Sequence, residues 1–401
     1  MNTTGFSSSR IERMRRVLSG HVERKEMPGL VWLVSHHDHV HVETLGNLSF
    51  GHPGVMKRDT IFRIASLSKV ITAVAAMILI EECKLRFDDS IELWLPELAN
   101  RRVLKSISSQ PDDTVPALRA ITVRDLLTYR MGFGSVMAMP DTYPIQRLIR
   151  EYGIGGDGPR LPSQLPTADE WLKRLGSLPW LAQPGERWLY HVSGDVLGVL
   201  VARVSGMSLG RFMRERIFDP LGMKDTAFHT PTEKIGRLPA VYFFNRQTNT
   251  LDLFDDQASS SWQVEPPFES GGGGLVSTIE DYFALCSMLL NKGRHGREQI
   301  ISRAAVELMT SDHVTARQRA DSEIFFGTHS SWGLGLAVDI SRAETFHNPG
   351  RFGWNGGFGT TAYTDPAHEM VGILFTQRMM ESPEPPRVFT DFWTLAYGAI
   401  D

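Results

Sequence analysis

Cysteine is scarce: Cys83 and Cys286 are the only two in 401 residues. Both fall in apolar, helix-like segments far apart in the chain, which reads as two buried free thiols in a reducing compartment, not as a disulfide. Charge of one sign is also lacking. A formal net charge of -4, with 42% hydrophobic and 22% charged residues, argues against disorder and against a surface built for polyanions, so nucleic acid is not an expected partner. Long apolar runs are missing too. The longest, residues 70–80, suits a buried core helix and falls well short of the ~20 residues that a membrane span needs. Residues 1–10 are polar, and Ile11, Met14, Leu18 and Val22 then share one helical face instead of forming a continuous signal-peptide core. No membrane partner is expected, and the location to expect is cytoplasmic. Internal repeats and low-complexity segments are likewise not seen.

A prior of about 150 residues per domain suggests two or three domains. After the amphipathic first helix, residues 30–34 and 40–45 read as two strands joined by the polar turn His36-His37-Asp38-His39, a hairpin at a sheet edge. With His41 this makes four histidines, but no further Cys, His or Asp cluster completes a metal site. Residues 66–83 read as a helix. From 87 to 270 helices alternate with Gly/Pro/Asp-rich loops, and strand signals are sparse. Thr167-Ala168-Asp169-Glu170 and Ser277-Thr278-Ile279-Glu280 have capping-box spacing ahead of apolar-periodic stretches and mark two helix starts. Strand signals return at 332–338, 357–364 and 370–376, followed by a closing helix near 388–397. The expected fold class is therefore α/β of the α+β type. Residues 1–86 and 271–401 would form an α/β domain around an antiparallel sheet, residues 87–270 an inserted, mostly helical domain, with the active site between them.

Ser66-Leu67-Ser68-Lys69 is an S-x-x-K element at the mouth of the apolar helix, which puts its two functional side chains one turn apart on the same face. A hydroxyl is a poor nucleophile until a base takes its proton, and deprotonating a lysine at its reference pKa at neutral pH costs about 4.6 kcal/mol. Burial beside Val70 and Ile71, together with the positive helix N-terminus, disfavours the ammonium and is the available lever. Tyr190 by itself reads as a tyrosine capping a helix with its hydroxyl in water, or as a second acid/base group, since a phenol can pass a proton between serine and leaving group when an ammonium lies beside it.

The wider pattern resembles the class C β-lactamase-like serine hydrolases. Phe62-Arg63-Ile64-Ala65-Ser66-Leu67-Ser68-Lys69 is followed by Ile121-Thr122-Val123-Arg124-Asp125-Leu126-Leu127-Thr128 and Pro184-Gly185-Glu186-Arg187-Trp188-Leu189-Tyr190. Ser270-Gly271-Gly272-Gly273-Gly274-Leu275-Val276-Ser277-Thr278 and Gly353-Trp354-Asn355-Gly356-Gly357 complete the set. These motifs stand in family order over roughly residues 27–376. The resemblance implies a penicillin-recognising fold with Ser66 as nucleophile, Lys69 as its base partner and Tyr190 as second acid/base residue. It also implies an oxyanion hole from the backbone N–H groups of Ser66 and Gly357. No metal or organic cofactor is implied.

Two departures bear on substrate. The β-lactamases carry Tyr-x-Asn where this chain has Tyr190-His191-Val192, and Lys-Thr-Gly where it has Trp354-Asn355-Gly356. An indole in place of a cation cannot neutralise a drug's carboxylate but offers apolar area to an acyl or alcohol group, so neutral esters become the expected substrates. A Trp-x-Gly here is similar to the β-lactamase-fold (family VIII) carboxylesterases and to the lovastatin-type acyltransferases. Arg351 could replace the missing cation, which keeps some β-lactamase or D-peptidase turnover open. Trp354, Gly356, Phe133 and Phe358 are candidate substrate-binding residues, with Trp262 and Phe352 as further aromatic candidates. The alternatives are acyl transfer to an alcohol and, outside enzymes, a silent acyl- or peptide-binding module.

Gly206-Met207-Ser208-Leu209-Gly210 matches the G-x-S-x-G nucleophile elbow. That motif requires a strand before the serine, whereas Val196, Leu197, Leu200, Val201 and Val204 follow a helical period, so Ser208 reads as the N-cap of the next helix. His191 and Asp195 read as a helix-start histidine and a first-turn acid.

Overall fold

The computed structural model describes residues 5–155 and 161–400, so the reading of residues 1–10 falls partly outside the described residues. Seven strands form one antiparallel sheet: β1 (Gly29–His36), β2 (His39–Gly46), β3 (Ser330–Trp332), β4 (Ala337–Asp339), β5 (Phe352–Gly356), β6 (Thr360–Asp365) and β7 (Met370–Thr376). Their order is β3-β4-β5-β6-β7-β1-β2. The hairpin β1-β2 lies at the edge, and β1 pairs with β7 from Leu30↔Thr376 to His36↔Met370, so both ends of the sequence meet in one sheet.

The main helices are α1 (Ser8–Glu23), α2 (Ser68–Glu81), α3 (Val192–Ser205), α4 (Ile279–Leu290) and α5 (Arg387–Ala399). The period of two along β1 sends its side chains to different layers. Leu30, Trp32 and Val34 pack with Met14 and Leu18 of α1 and Phe392 and Trp393 of α5. Val31 and Leu33 point the other way, into the large cluster that holds α2, α3 and α4. That double burial is why β1 is an almost unbroken apolar run.

α2 is buried at every position from Ser68 to Leu79, as expected of a helix that is apolar all round. It stops at Glu81. Cys83, two residues on, takes φ +58° in the following turn and is exposed, while Cys286 on α4 is buried. Two buried thiols are therefore not found, because the apolar run ends before Cys83.

The described residues between 87 and 270 contribute no strand to the central sheet. They carry helices and two ribbons, Arg102–Leu104 with Thr114–Pro116 and Val241–Asn245 with Thr250–Asp255. Thr167 caps the helix Ala168–Ser177. At α4 the cap is Thr278, one residue beyond Ser277, accepting from Asp281 N–H. The expected strand 332–338 is two strands, since residues 333–336 turn back with Gly335 at φ +78°. The expected strand 357–364 begins only at Thr360, after a turn closed by Gly359 N–H on Gly356 O at 2.9 Å. Among the described residues no single helix is long and apolar enough to cross a membrane.

Candidate active site

Ser66 sits where a short strand is bent sharply into α2. Phe62–Arg63 pairs with Val276–Ser277. The buried Arg63 guanidinium fixes that strand by donating to Pro239 O at 2.6 Å and Ser260 Oγ at 2.9 Å and by pairing with Asp255. Ala65 then takes φ +45°, and the 3-10 turn Ala65–Leu67 leads into α2. Ser66 is thereby half-buried at the cleft, one turn before Lys69.

Lys69, 1% exposed, donates from Nζ to Ser66 Oγ at 2.8 Å and to the carbonyl of Gly272. Tyr190, just ahead of α3, donates its hydroxyl to the same Ser66 Oγ at 2.7 Å. Lys69 Nζ lies 4.8 Å from the centre of the Tyr190 ring. Two separate stretches of sequence, residues 66–69 and Tyr190, thus meet on one oxygen. Trp354 on β5 adds a fourth member, with its Nε1 donating to Tyr190 Oη at 2.9 Å. Behind them Tyr129 stacks on Tyr190 at 6.3 Å, and burial, then Tyr190 and Asp195, push its phenol well above the ordinary range, so it stays neutral.

The cleft over Ser66 has a volume of about 680 Å³ and takes in Trp171, Trp262, Phe268, Gly357 and Phe358. Gly357 faces it openly, with no heavy atom within 4 Å of where a Cβ would stand. Gly356 does not line it. A Cβ there would meet Thr360 Oγ1 and Ile64 O, so this glycine serves close packing of β5 beneath the nucleophile turn. Phe133, 1% exposed, packs on Trp180 in the core, and Phe352 is also a core residue; neither lines the cleft. Trp354 reaches the cleft but is only 6% exposed, with its rings against Trp332 and Tyr190. Its N–H, more than its face, is what it offers.

Arg351 is not a replacement cation at Ser66. Alternation along β5 turns Phe352 and Trp354 to the Ser66 side and Arg351 to the α5 side. There its Nη1 donates to Asp339 at 3.0 Å and its guanidinium lies 3.9 and 4.2 Å from the ring centres of Tyr363 and Trp393, at the far end of the cleft. Ser208 lies elsewhere, capping Leu209–Met213 through Arg211 N–H at 3.2 Å.

One group of potential metal ligands is present among the described residues: His329, Asp339 and His347, with ligand atoms within 4.8 Å of one another. Burial lowers both imidazoles, His347 to about 3 with further help from His329 and Arg351, so both are neutral near pH 7. Asp339, however, is already committed to Arg351 and Ser330, and His347 Nδ1 takes the Glu344 N–H at 3.2 Å. A cation there would stand beside a guanidinium. In the hairpin, His36, His37 and His41 turn to Gly5 O, Glu369 and Glu43 instead of to one another's ligand atoms.

Sequence reasoning missed Asp195. It is in the first turn of α3, as expected, but it also lines the cleft and accepts from Ser270 Oγ at 2.6 Å and Gly272 N–H at 2.9 Å. Its position five residues after Tyr190 was visible; its partner, a glycine backbone 77 residues on, was not.

Comparison with known proteins agrees with this architecture. An uncharacterized protein of Mycobacterium tuberculosis is 35% identical over 80% of this chain and 78% of its own length. Esterase EstB of Burkholderia gladioli is 26% identical over 96% of each chain. Among solved structures, EstCE1, described as a hydrolase with promiscuous acyltransferase activity, superposes with a TM-score of 0.79 at 26% identity, over 97% of this chain and 99% of that one. The Beta-lactamase family profile matches residues 14–390, nearly the whole length over which the sheet, α2 and the Ser66-Lys69-Tyr190 cluster are laid out, and the chain belongs to that family.

Proposed function

We propose that this chain is a serine ester hydrolase that works through an acyl-enzyme on Ser66. The observation that carries the reading is the convergence of Lys69 Nζ and Tyr190 Oη on Ser66 Oγ, at 2.8 and 2.7 Å. The pair takes the serine proton as Oγ adds to the ester carbonyl, and passes a proton to the departing alkoxide, which leaves as the alcohol. Water then enters along the same path and gives up its proton to the same pair, which returns a proton to Ser66 Oγ as the acyl-enzyme is cleaved to the acid and free Ser66. The backbone N–H groups of Ser66 and Gly357 are the oxyanion donors in this reading, each of a kind worth about 2.7–4 kcal/mol of barrier.

Neutral esters suit the site better than β-lactams, because the β5 position that faces Tyr190 carries an indole N–H and no cation, and the Arg351 guanidinium, although it lines the same cleft, is paired with Asp339. Acyl transfer to an alcohol is the second reading. It needs no new residue, since an alcohol can take the place of water, and EstCE1 is described with both activities. Product partition with and without added alcohols separates the two.

The test is chemical. Ser66→Ala abolishes p-nitrophenyl butyrate turnover and labelling by a fluorophosphonate, with the wild-type adduct found on Ser66 by intact and peptide mass, while Ser208→Ala keeps both. An active Ser66→Ala protein would refute the assignment. Equal kcat/KM on a cephalosporin and on p-nitrophenyl butyrate would replace the esterase reading with a β-lactamase one.

A further inference from the structure

Lysine is a flexible four-carbon stem with three rotatable donors, so a lysine that must stay on one serine oxygen needs a second fixed acceptor. For Lys69 that acceptor is the carbonyl of Gly272. Gly272 lies in the run Gly271-Gly272-Gly273-Gly274, where no side chain holds the backbone and conformational freedom is greatest.

α3 supplies the missing restraint. Asp195, 6% exposed, receives both the Gly272 N–H and the Ser270 hydroxyl on its Oδ1. The helix surface beneath is bare enough for the backbone to lie on it. A Cβ on Gly194 would stand 3.0 Å from Gly272 Cα, and one on Gly198 would stand 3.2 Å from Gly271 Cα. From the opposite side Thr72 on α2 donates to Gly271 O at 2.7 Å. Gly272 is thus clamped at both ends, its N–H by Asp195 and its C=O by Lys69. The other Asp195 oxygen, Oδ2, lies 3.9 Å from His191 Nδ1.

We propose that Asp195 is a positioning residue for the reaction: by holding the N–H of Gly272 it aims the Gly272 carbonyl at Lys69 and so keeps Nζ on Ser66 Oγ. This rests on the serine-hydrolase reading above. Asp195 touches neither Ser66 nor Lys69, and its removal shifts proton transfer without removing a proton carrier.

Two substitutions at one position separate positioning from charge. Asp195→Ala removes the acceptor, and Asp195→Asn keeps an oxygen in place of Oδ1 while losing the negative charge. With p-nitrophenyl butyrate, Asp195→Ala is expected to lower kcat by about 30–100-fold, the scale of a roughly 1 Å misplacement, with KM changed by less than about 3-fold. Asp195→Asn should recover kcat to within about 5-fold of wild type, and the fluorophosphonate labelling rate should follow kcat in each variant. A wild-type kcat in Asp195→Ala, a loss confined to KM, or an Asn variant as poor as the Ala variant overturns the proposal. Should Asp195→Ala fail to fold, Ser270→Ala decides: it removes one of the two bonds on Oδ1 and should lower kcat by about 3–10-fold, whereas an unchanged kcat counts against the clamp. Ser66→Ala run alongside tells the two failures apart. Turnover without Ser66 sinks the underlying mechanism; loss of turnover without Ser66 beside a normal Asp195→Ala protein sinks the positioning role alone.

Discussion

Trp354→Phe isolates a single hydrogen bond in the proposed machinery. The indole Nε1 donates to Tyr190 Oη at 2.9 Å, and Tyr190 Oη in turn meets Ser66 Oγ at 2.7 Å. When the proton of Ser66 moves, negative charge develops along that pair of oxygens, and a donor aimed at one of them stabilises it. Hydrogen bonds to charged groups contribute about 1.5–3 kcal/mol. At 1.36 kcal/mol per decade, losing this one should lower kcat/KM by about 10–150-fold. Phenylalanine keeps an aromatic ring for the contacts with Trp332 at 4.9 Å and Tyr190 at 5.7 Å, so the change is chiefly in the donor. The assay is initial-rate hydrolysis of p-nitrophenyl butyrate, with thermal unfolding monitored in parallel to remove any effect of the smaller ring. Tyr190→Phe sets the scale from below, at a loss of at least about 10²-fold. A Trp354→Phe enzyme within about 2-fold of wild type, well short of one hydrogen bond to a charged group, would refute the reasoning and leave Trp354 as packing.

Two further perturbations test the scaffold. Asp255→Ala leaves the fully buried Arg63 guanidinium without its counter-ion, an arrangement that loses about 3–5 kcal/mol; the melting temperature should fall by many degrees, and a change within about 2 °C would show that the pair is dispensable. Glu97 is held by both Arg203 Nη groups, at 2.7 and 2.8 Å, and those hydrogen bonds, against the opposing effect of burial, keep its carboxyl below the ordinary range. A carboxyl lowered on folding stabilises above its unfolded value of about 4.3 and loses that contribution as pH falls through the lower folded value. Glu97→Gln should therefore cost about 1 kcal/mol in urea unfolding at pH 7, with the gap closing below about pH 4; a gap that stays constant with pH would assign it to packing.

How much could be read in advance follows from the kind of signal each part carries. The β1-β2 hairpin and α2 are written in continuous local patterns: β-branched runs around a polar turn, and an apolar stretch behind S-x-x-K. Ser66, Lys69 and Tyr190 were legible through their motifs, and the structure brings their side chains to one point. β5 was missed because Gly353, Asn355 and Gly356 carry little strand propensity, although pairing on both sides makes it a strand. The split of 332–338 into β3 and β4 turned on Gly333 and Gly335, read as part of a strand when they form its turn. Phe133 and Arg351 were misplaced for a different reason. Which face of a sheet or which side of a core a side chain takes depends on partners remote in sequence, Trp180 for one and Asp339, Tyr363 and Trp393 for the other. The Trp354–Tyr190 bond and the Asp195–Gly272 clamp belong to the same class of information.

The pairing of β1 with β7 has a consequence for biosynthesis. β1 and β2 leave the ribosome long before β7, the neighbour that completes β1, and the side chains of Leu30, Trp32 and Val34 wait for α5, which comes later still. Until then the hairpin presents an open strand and an uncovered apolar face, the combination that invites pairing with another chain. Closing so long a loop in one step adds little free energy per doubling of its length but slows the search for the partner. The nascent protein is therefore exposed to misassembly for as long as the stretch between β2 and β7 takes to be made, and the half-buried outer strand β2, with His39, His41 and Glu43 along it, sets polar and ionisable groups at the edge where a stray strand would otherwise add.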